Sequence, residues 1–148
     1  MSNDAIQIRI RGVAELDKKL GAFSSGLQLV VEDASRKAVT YVWSEIPDYP
    51  AQPLGSTYQR TLTLGRTISA WAGVMRDALS RIEPAFGMVK AFLGTALNYA
   101  HWVIDEDDQA WMHKGRWWTL QGVVRGARDG IAQVYATALR DYVRRIFP

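Results

Sequence analysis

Thr119 to Phe147, TLQGVVRGARDGIAQVYATALRDYVRRIF, decides the fold. Leu120, Val124, Ala127, Ile131, Val134, Ala138 and Tyr142 recur every three to four residues. That spacing draws one apolar stripe along a helix. Thr119 precedes the stripe and is the natural N-cap, since its hydroxyl can accept a first-turn N–H. Gly122, Gly126 and Gly130 lie four apart on one face, each costing the helix about 1 kcal/mol relative to alanine. They leave room for another backbone to approach, although the spacing alone does not establish a contact. A stripe of this length needs an apolar partner.

The partner lies at the other end of the chain. Leu27, Val31, Ala34, Ala38 and Val42 repeat at the same spacing and predict a long amphipathic helix ending near Ile46, before Pro47. Upstream, Val13, Leu16 and Leu20 predict a short helix, separated from the long one by a turn at Phe23 to Gly26. Ala5 to Arg11 alternates apolar and polar residues and reads as a half-buried strand ended by Gly12.

Between the helices the signals change. Pro47 to Ser56 holds three of the five prolines and predicts an extended loop. Thr57 to Leu64 reads as strand or loop, with one helical turn at TLGRTI. Ser69 to Met75 and Phe86 to Leu93 read as strands. Arg76 to Pro84 reads as a connection, with a helical turn at DALSRI. Strands thus segregate from helices. The expected class is α+β, a small antiparallel sheet packed with a long helix in the N-terminal half and a long C-terminal helix. The 148 residues, 48% of them hydrophobic, suit one domain over 1–148.

The segment Asn98 to Trp118, NYAHWVIDEDDQAWMHKGRWW, holds four of the six tryptophans and both histidines. It also holds Asp105, Glu106, Asp107 and Asp108 in a row. Trp and Tyr anchor interfaces because they bury large area with few rotors. The net charge of +3 is small, but it is unevenly spread. Arg140, Arg144 and Arg145 crowd the C-terminus, where they favour the helix dipole or meet an acidic partner. The acidic run and this basic helix are expected to complement one another in any contact between neighbouring copies. Trp111, Trp117 and Trp118 are expected in the core or a subunit interface rather than stacked on bases. The Pro-rich loop and the N-terminal strand are the segments best suited to reach a different partner, the strand by joining another sheet.

Little points to catalysis. With no cysteine, disulfides and thiolate metal sites are excluded. His101 and His113 beside the acids match no helical ligand pair, and the run lacks the spacing of a calcium loop. Glu45 and Glu83 are isolated carboxylates with nothing to tie them together. GxSxG, GxxxxGK[ST] and GxGxxG are all missing. No enzyme, cofactor or metal is expected. No apolar run is long enough to span a membrane, and the opening MSNDAIQIRIRG lacks a signal peptide's apolar core, so cytoplasmic synthesis is expected.

The pieces IRIRGVAELDKKL, VWSEIPDYP, TLTLGRTI, SAWAGV and MVKAFLGTALNYAHWV follow one another in an order that resembles the tailed-phage neck proteins. These are the head–tail connector or tail-completion proteins of long-tailed phages and prophages, similar in role to the minor tail protein Z of lambda. The resemblance covers most of the chain. It departs after the Tyr99–Ala100 segment, where relatives place a glycine–threonine turn and this chain has the acidic, tryptophan-rich stretch. The resemblance implies a structural virion protein that forms a ring, six copies being expected, between the connector or head-closure proteins and the tail terminator or tail tube. It implies proximity to packaged DNA, residence in the virion neck or tail after assembly in the host cytoplasm, and no membrane. A DNA-binding module using the basic C-terminal helix, or another tail role such as terminator, are the competing expectations.

Overall fold

The computed structural model describes residues 13–148 except 53, 58–61, 69–77 and 86–87. The expected strands at Ala5 to Arg11 and Ser69 to Met75, and residues 58–61 of the Thr57 to Leu64 stretch, lie outside the described residues. The class is α+β, with two long helices packed against a two-stranded antiparallel sheet.

The first helix, α1, runs without interruption from Val13 to Ser44. This corrects the short helix and the turn expected at Phe23 to Gly26. Serines and glycines there are a local turn signal, but tertiary contacts outweigh it. Phe23 stacks on Tyr142 at 5.3 Å and meets Phe147 at 6.2 Å. The Tyr142 hydroxyl lies 2.9 Å from the Ala22 carbonyl oxygen and 2.8 Å from that of Phe23, and donates into this pair. Gly26 faces the same phenol, and a Cβ there would overlap it. Ser25 turns its hydroxyl back onto the Ala22 carbonyl at 3.1 Å. Exposed pairs such as Glu15–Lys19 (3.2 Å) and Asp33–Lys37 (2.7 Å) add a few tenths of a kcal/mol each.

The C-terminal stripe forms two helices, α4 (Leu120–Gly126) and α5 (Arg128–Ile146), rather than the single helix expected. They follow the short α2 (Thr63–Ile68), strands β1 (Ala78–Ala85) and β2 (Met88–Thr95), and α3 (His101–Ile104). Thr119 caps α4 as its sequence position implied, accepting from the Gly122 N–H at 3.1 Å. Ala127 alone separates α4 from α5. Its N–H still reaches the Val123 carbonyl, and its own carbonyl accepts from Ile131, so the joint is a local bend.

Helices α1 and α5 pack antiparallel. Tyr142 meets Ala22 and Phe23, Ser35 Oγ lies 2.7 Å from the Tyr135 hydroxyl, and Tyr41 covers Gly130. A Cβ at Gly130 would overlap the Tyr41 ring, whereas Gly126 has open space. Of the three spaced glycines, only Gly130 is used for a close helix–helix approach. Ala34, Ser35, Ala38, Val39 and Val42 are the buried face of α1. Val124, assigned to the apolar stripe, is exposed.

The sheet is a hairpin in which Ala85 pairs with Met88 and Ala78 with Thr95. Strand β1 corrects the helical turn expected at DALSRI. Its segment offers two large aliphatic residues, Leu79 and Ile82, three apart and so out of step with a strand's alternation, and its pairing comes from β2. Arg81 stands opposite Phe92 with its guanidinium 5.2 Å from the ring centre, and Glu83 stands opposite Lys90. Arg81 also reaches Glu83 at 2.7 Å. A second cluster of Leu64, Ile68, Ala100 and Ile104, backed by Ile46, Leu97, Trp117, Trp118 and Leu120, closes the loop end of the molecule.

Candidate functional site

The segment from Asp105 to Trp118 is a loop folded onto α3 and α4, and polar side chains hold its shape. One oxygen of Asp105 accepts the N–H groups of Asp107 (2.9 Å) and Asp108 (3.4 Å), which makes a tight Asx turn. The other oxygen accepts from the Gln121 amide at 3.1 Å. The Gln121 carbonyl in turn accepts the Glu106 N–H at 3.2 Å. Glu106 and Arg125 join through two parallel bonds of 2.6 and 2.8 Å. The Asp107 N–H, helped by Gln121 and Asp108, holds the Asp105 carboxyl below its usual range. The Arg125 fork does the same for Glu106.

Gln109 is the loop's internal strut. It is 7% exposed, and its amide donates to the Val103 carbonyl at 2.7 Å and more weakly to that of Trp117 at 3.4 Å. Gly115 turns the chain at φ +72°, a conformation that favours glycine. His113 meets Trp117 edge-on at 5.6 Å, and burial first, then Arg116, pushes its pKa down.

The tryptophans divide. Trp117 and Trp118 turn inward onto the second core cluster. Trp117 also meets Tyr49 edge-on at 5.2 Å. The Trp118 indole N–H is buried without a hydrogen-bond partner among the described residues. Trp111 points outward and is 83% exposed, with Met112 at 51% and Trp102 at 54%. The Ala110 N–H bonds to the Trp102 carbonyl at 2.8 Å, so the backbone of α3 at Trp102 is held against the loop just before Trp111, and the two form one knuckle. Trp102 and Met112 were not singled out by sequence, although both belong to the aromatic segment. Gln109, Gln121 and Arg125 carried no sequence signal at all.

The acidic run is likewise divided. Asp105 and Glu106 are used inside the subunit. Asp107 and Asp108 are exposed, and their carboxylates make no ion pair with a described residue. Arg140, Arg144 and Arg145 are exposed on α5. From Arg125 to Arg145 is 20 residues of nearly continuous helix, about 30 Å. The acidic and basic groups expected to complement one another therefore sit at opposite ends of a subunit and do not meet within it. At the basic end, Arg145 shares a shallow cleft of about 300 Å³ with Glu15, Lys18 and Lys19.

The Pro-rich loop is tied down at its start. The Gly65 N–H donates to the Tyr49 hydroxyl, and Tyr49 leans on Trp117. Leu54 beyond it is fully exposed. Among the described residues, no group of three or more His, Asp or Glu is placed to hold a metal ion, and no helix is long and apolar enough to cross a membrane. The chain matches no protein-family model, no curated protein and no solved structure.

Proposed function

We propose that this chain is a structural subunit of a phage or prophage neck or tail, assembling head to tail with copies of itself into a ring at the head–tail junction. One observation carries the reading. Asp107 and Asp108 are exposed on the loop beside Glu106, which grips Arg125 of α4, while Arg144 and Arg145, with Arg140 one turn nearer, are exposed towards the far end of α5, about 30 Å of helix from Arg125. A subunit with two different, complementary ends makes a heterologous contact, which closes into a ring or extends as a filament. The order of sequence motifs shared with neck proteins supports the ring and its place between connector and tail tube. In this reading the protein works by binding alone, without cofactor or catalysis.

Charge reversal tests it, but only at the right acids. Asp105 and Glu106 hold the loop, so altering them would change its shape as well as its charge. Asp107→Lys with Asp108→Lys is expected to leave the thermal melt unchanged and to abolish assembly, measured by light scattering of the protein alone and with the products of neighbouring genes. Assembly that survives the double reversal removes these acids from the interface. Tight, steeply salt-dependent binding of duplex DNA by a chain that joins no partner would transfer the assignment to a DNA-binding module.

A further inference from the structure

We infer that residues 6–10 double back on their own subunit and lie along the overhanging end of α1, with Ile10, Ile8 and Ile6 against Leu16, Leu20 and Phe23. The inference concerns one chain alone and stands apart from the ring reading.

The overhang follows from unequal helix ends. The face of α1 that carries the buried Ala34 and Ala38 continues at helical spacing through Val31, Leu27, Phe23, Leu20 and Leu16. Its cover does not continue. Helix α5 runs antiparallel to α1 and ends at Ile146, with Tyr142 level with Ala22 and Phe23, and with Phe147 beside Phe23 at 6.2 Å. From Phe23 back to Val13, α1 runs on for about 15 Å. On this stretch Leu16 and Leu20 are 52% and 51% exposed. Asp17 borders the strip on one side, and Lys19, paired with Glu15 at 3.2 Å, borders it on the other. The strip therefore has no single sign of charge and selects by shape.

The chain that enters α1 has the matching pitch. Ile6, Ile8 and Ile10 alternate with Gln7, Arg9 and Arg11. Residues two apart in an extended segment are separated by about 6.6 Å. Leu16 and Leu20, four apart on a helix, are separated by about 6 Å. With Ile10 at Leu16, Ile8 falls at Leu20 and Ile6 just past Phe23. The tether permits this register. The three residues from Ile10 to Val13 span up to about 10 Å, and Leu16 is about 4.5 Å along the helix from Val13. Gly12, at the reversal, has no side chain to obstruct a turn. Gln7, Arg9 and Arg11 then face water. A tethered segment needs no bimolecular encounter, so it occupies the strip ahead of a free partner of the same chemistry.

The chain has no cysteine, which makes the test clean. Ile8→Cys with Leu20→Cys in one full chain is expected to close an intramolecular disulfide, which needs the two Cα atoms within about 7 Å. Ile8→Cys with Lys18→Cys is the control, because Lys18 is equally near along the chain but on the opposite face of α1. In a glutathione redox buffer the Leu20 pair is expected to close at least about tenfold faster. Equal rates would overturn the inference, because an undocked segment samples both faces. Disulfide-linked dimers in place of the looped monomer would overturn it in favour of exchange onto a second copy. Ile6→Ser, Ile8→Ser and Ile10→Ser together are expected to speed hydrogen exchange across residues 14–24 at least about tenfold and to leave residues 34–44 unchanged. Exchange that stays the same across 14–24 sinks the docking. Ring formation is read separately, by light scattering of the wild-type chain, so either reading can fail while the other stands.

Discussion

The two ends of the α1–α5 pair differ in how they hold their shape. At the loop end, a fourteen-residue excursion with little regular structure, residues 105–118, is fixed by a net of side-chain bonds through Asp105, Gln109, Gln121 and the Glu106–Arg125 fork. At the basic end, two helix termini are fixed by aromatic stacking of Phe23, Tyr142 and Phe147, and the charges ride on long, flexible stems. The first surface is preorganised and the second is adaptable. Preorganisation lowers the cost of docking, while mobile arginines contribute mostly to encounter and register.

If the loop end depends on the cluster beneath it, Ile68→Ala should have the largest effect. Ile68 is fully buried, and its truncation should cost about 2–5 kcal/mol in a denaturant melt. Gln109→Ala removes the strut and leaves the Val103 carbonyl short of a donor. A loss of about 1–3 kcal/mol is expected, together with faster hydrogen exchange across residues 103–118. A loss no larger than that of an exposed substitution would mean that the loop is held by its tryptophans alone. At the other end, Tyr142→Phe keeps the stacking and deletes only the hydroxyl. It should cost about 1 kcal/mol, because the Ala22 and Phe23 carbonyls retain their helical partners.

The smallest effect separates the ends by pH. His113 has a folded-state pKa below its unfolded value of about 6.5, so the unfolded chain binds more protons between the two values. Its contribution is complete above about 6.5 and is lost as pH falls through the folded value. Asp105 follows the usual carboxylate rule, its contribution present above about 3.9 and lost as pH falls through its depressed value. Both groups are at the loop end. Exchange protection on mild acidification should therefore fall first across 105–118 and only later along α1 and α5. Uniform loss along the chain would erase the distinction.

Periodicity made the helical frame legible. The stripes from Leu27 to Val42 and from Leu120 to Tyr142, with the Thr119 cap, locate the two long helices, and segregation of strands from helices gives the α+β class. Where the reading failed, a distant partner decided the local structure. Phe23 to Gly26 is helical because Tyr142 and Phe147 lie across it. Ala78 to Ala85 is a strand because Met88 to Thr95 supplies the pairing that its own sequence does not advertise. The site divides in the same way. Composition marked 98–118 as a segment rich in aromatic and acidic groups. It could not say that Trp117 and Trp118 turn inward while Trp111 turns outward, nor that Asp105 and Glu106 are consumed by Gln121 and Arg125. Those outcomes depend on pairings 15 to 19 residues apart in sequence.

The divided tryptophans also give the molecule an optical label of its own. Among the described residues, Trp111 and Trp102 are the exposed tryptophans and emit from water, at longer wavelength and open to a quencher such as iodide, whereas Trp43, Trp117 and Trp118, none of them exposed, emit from a more apolar surrounding. Whatever covers the knuckle will shift the red part of the emission toward the blue and shield it from iodide, leaving the buried component unchanged. Unfolding would move the buried component instead, so the intrinsic fluorescence of the unmodified chain distinguishes docking from denaturation without a dye or a tag.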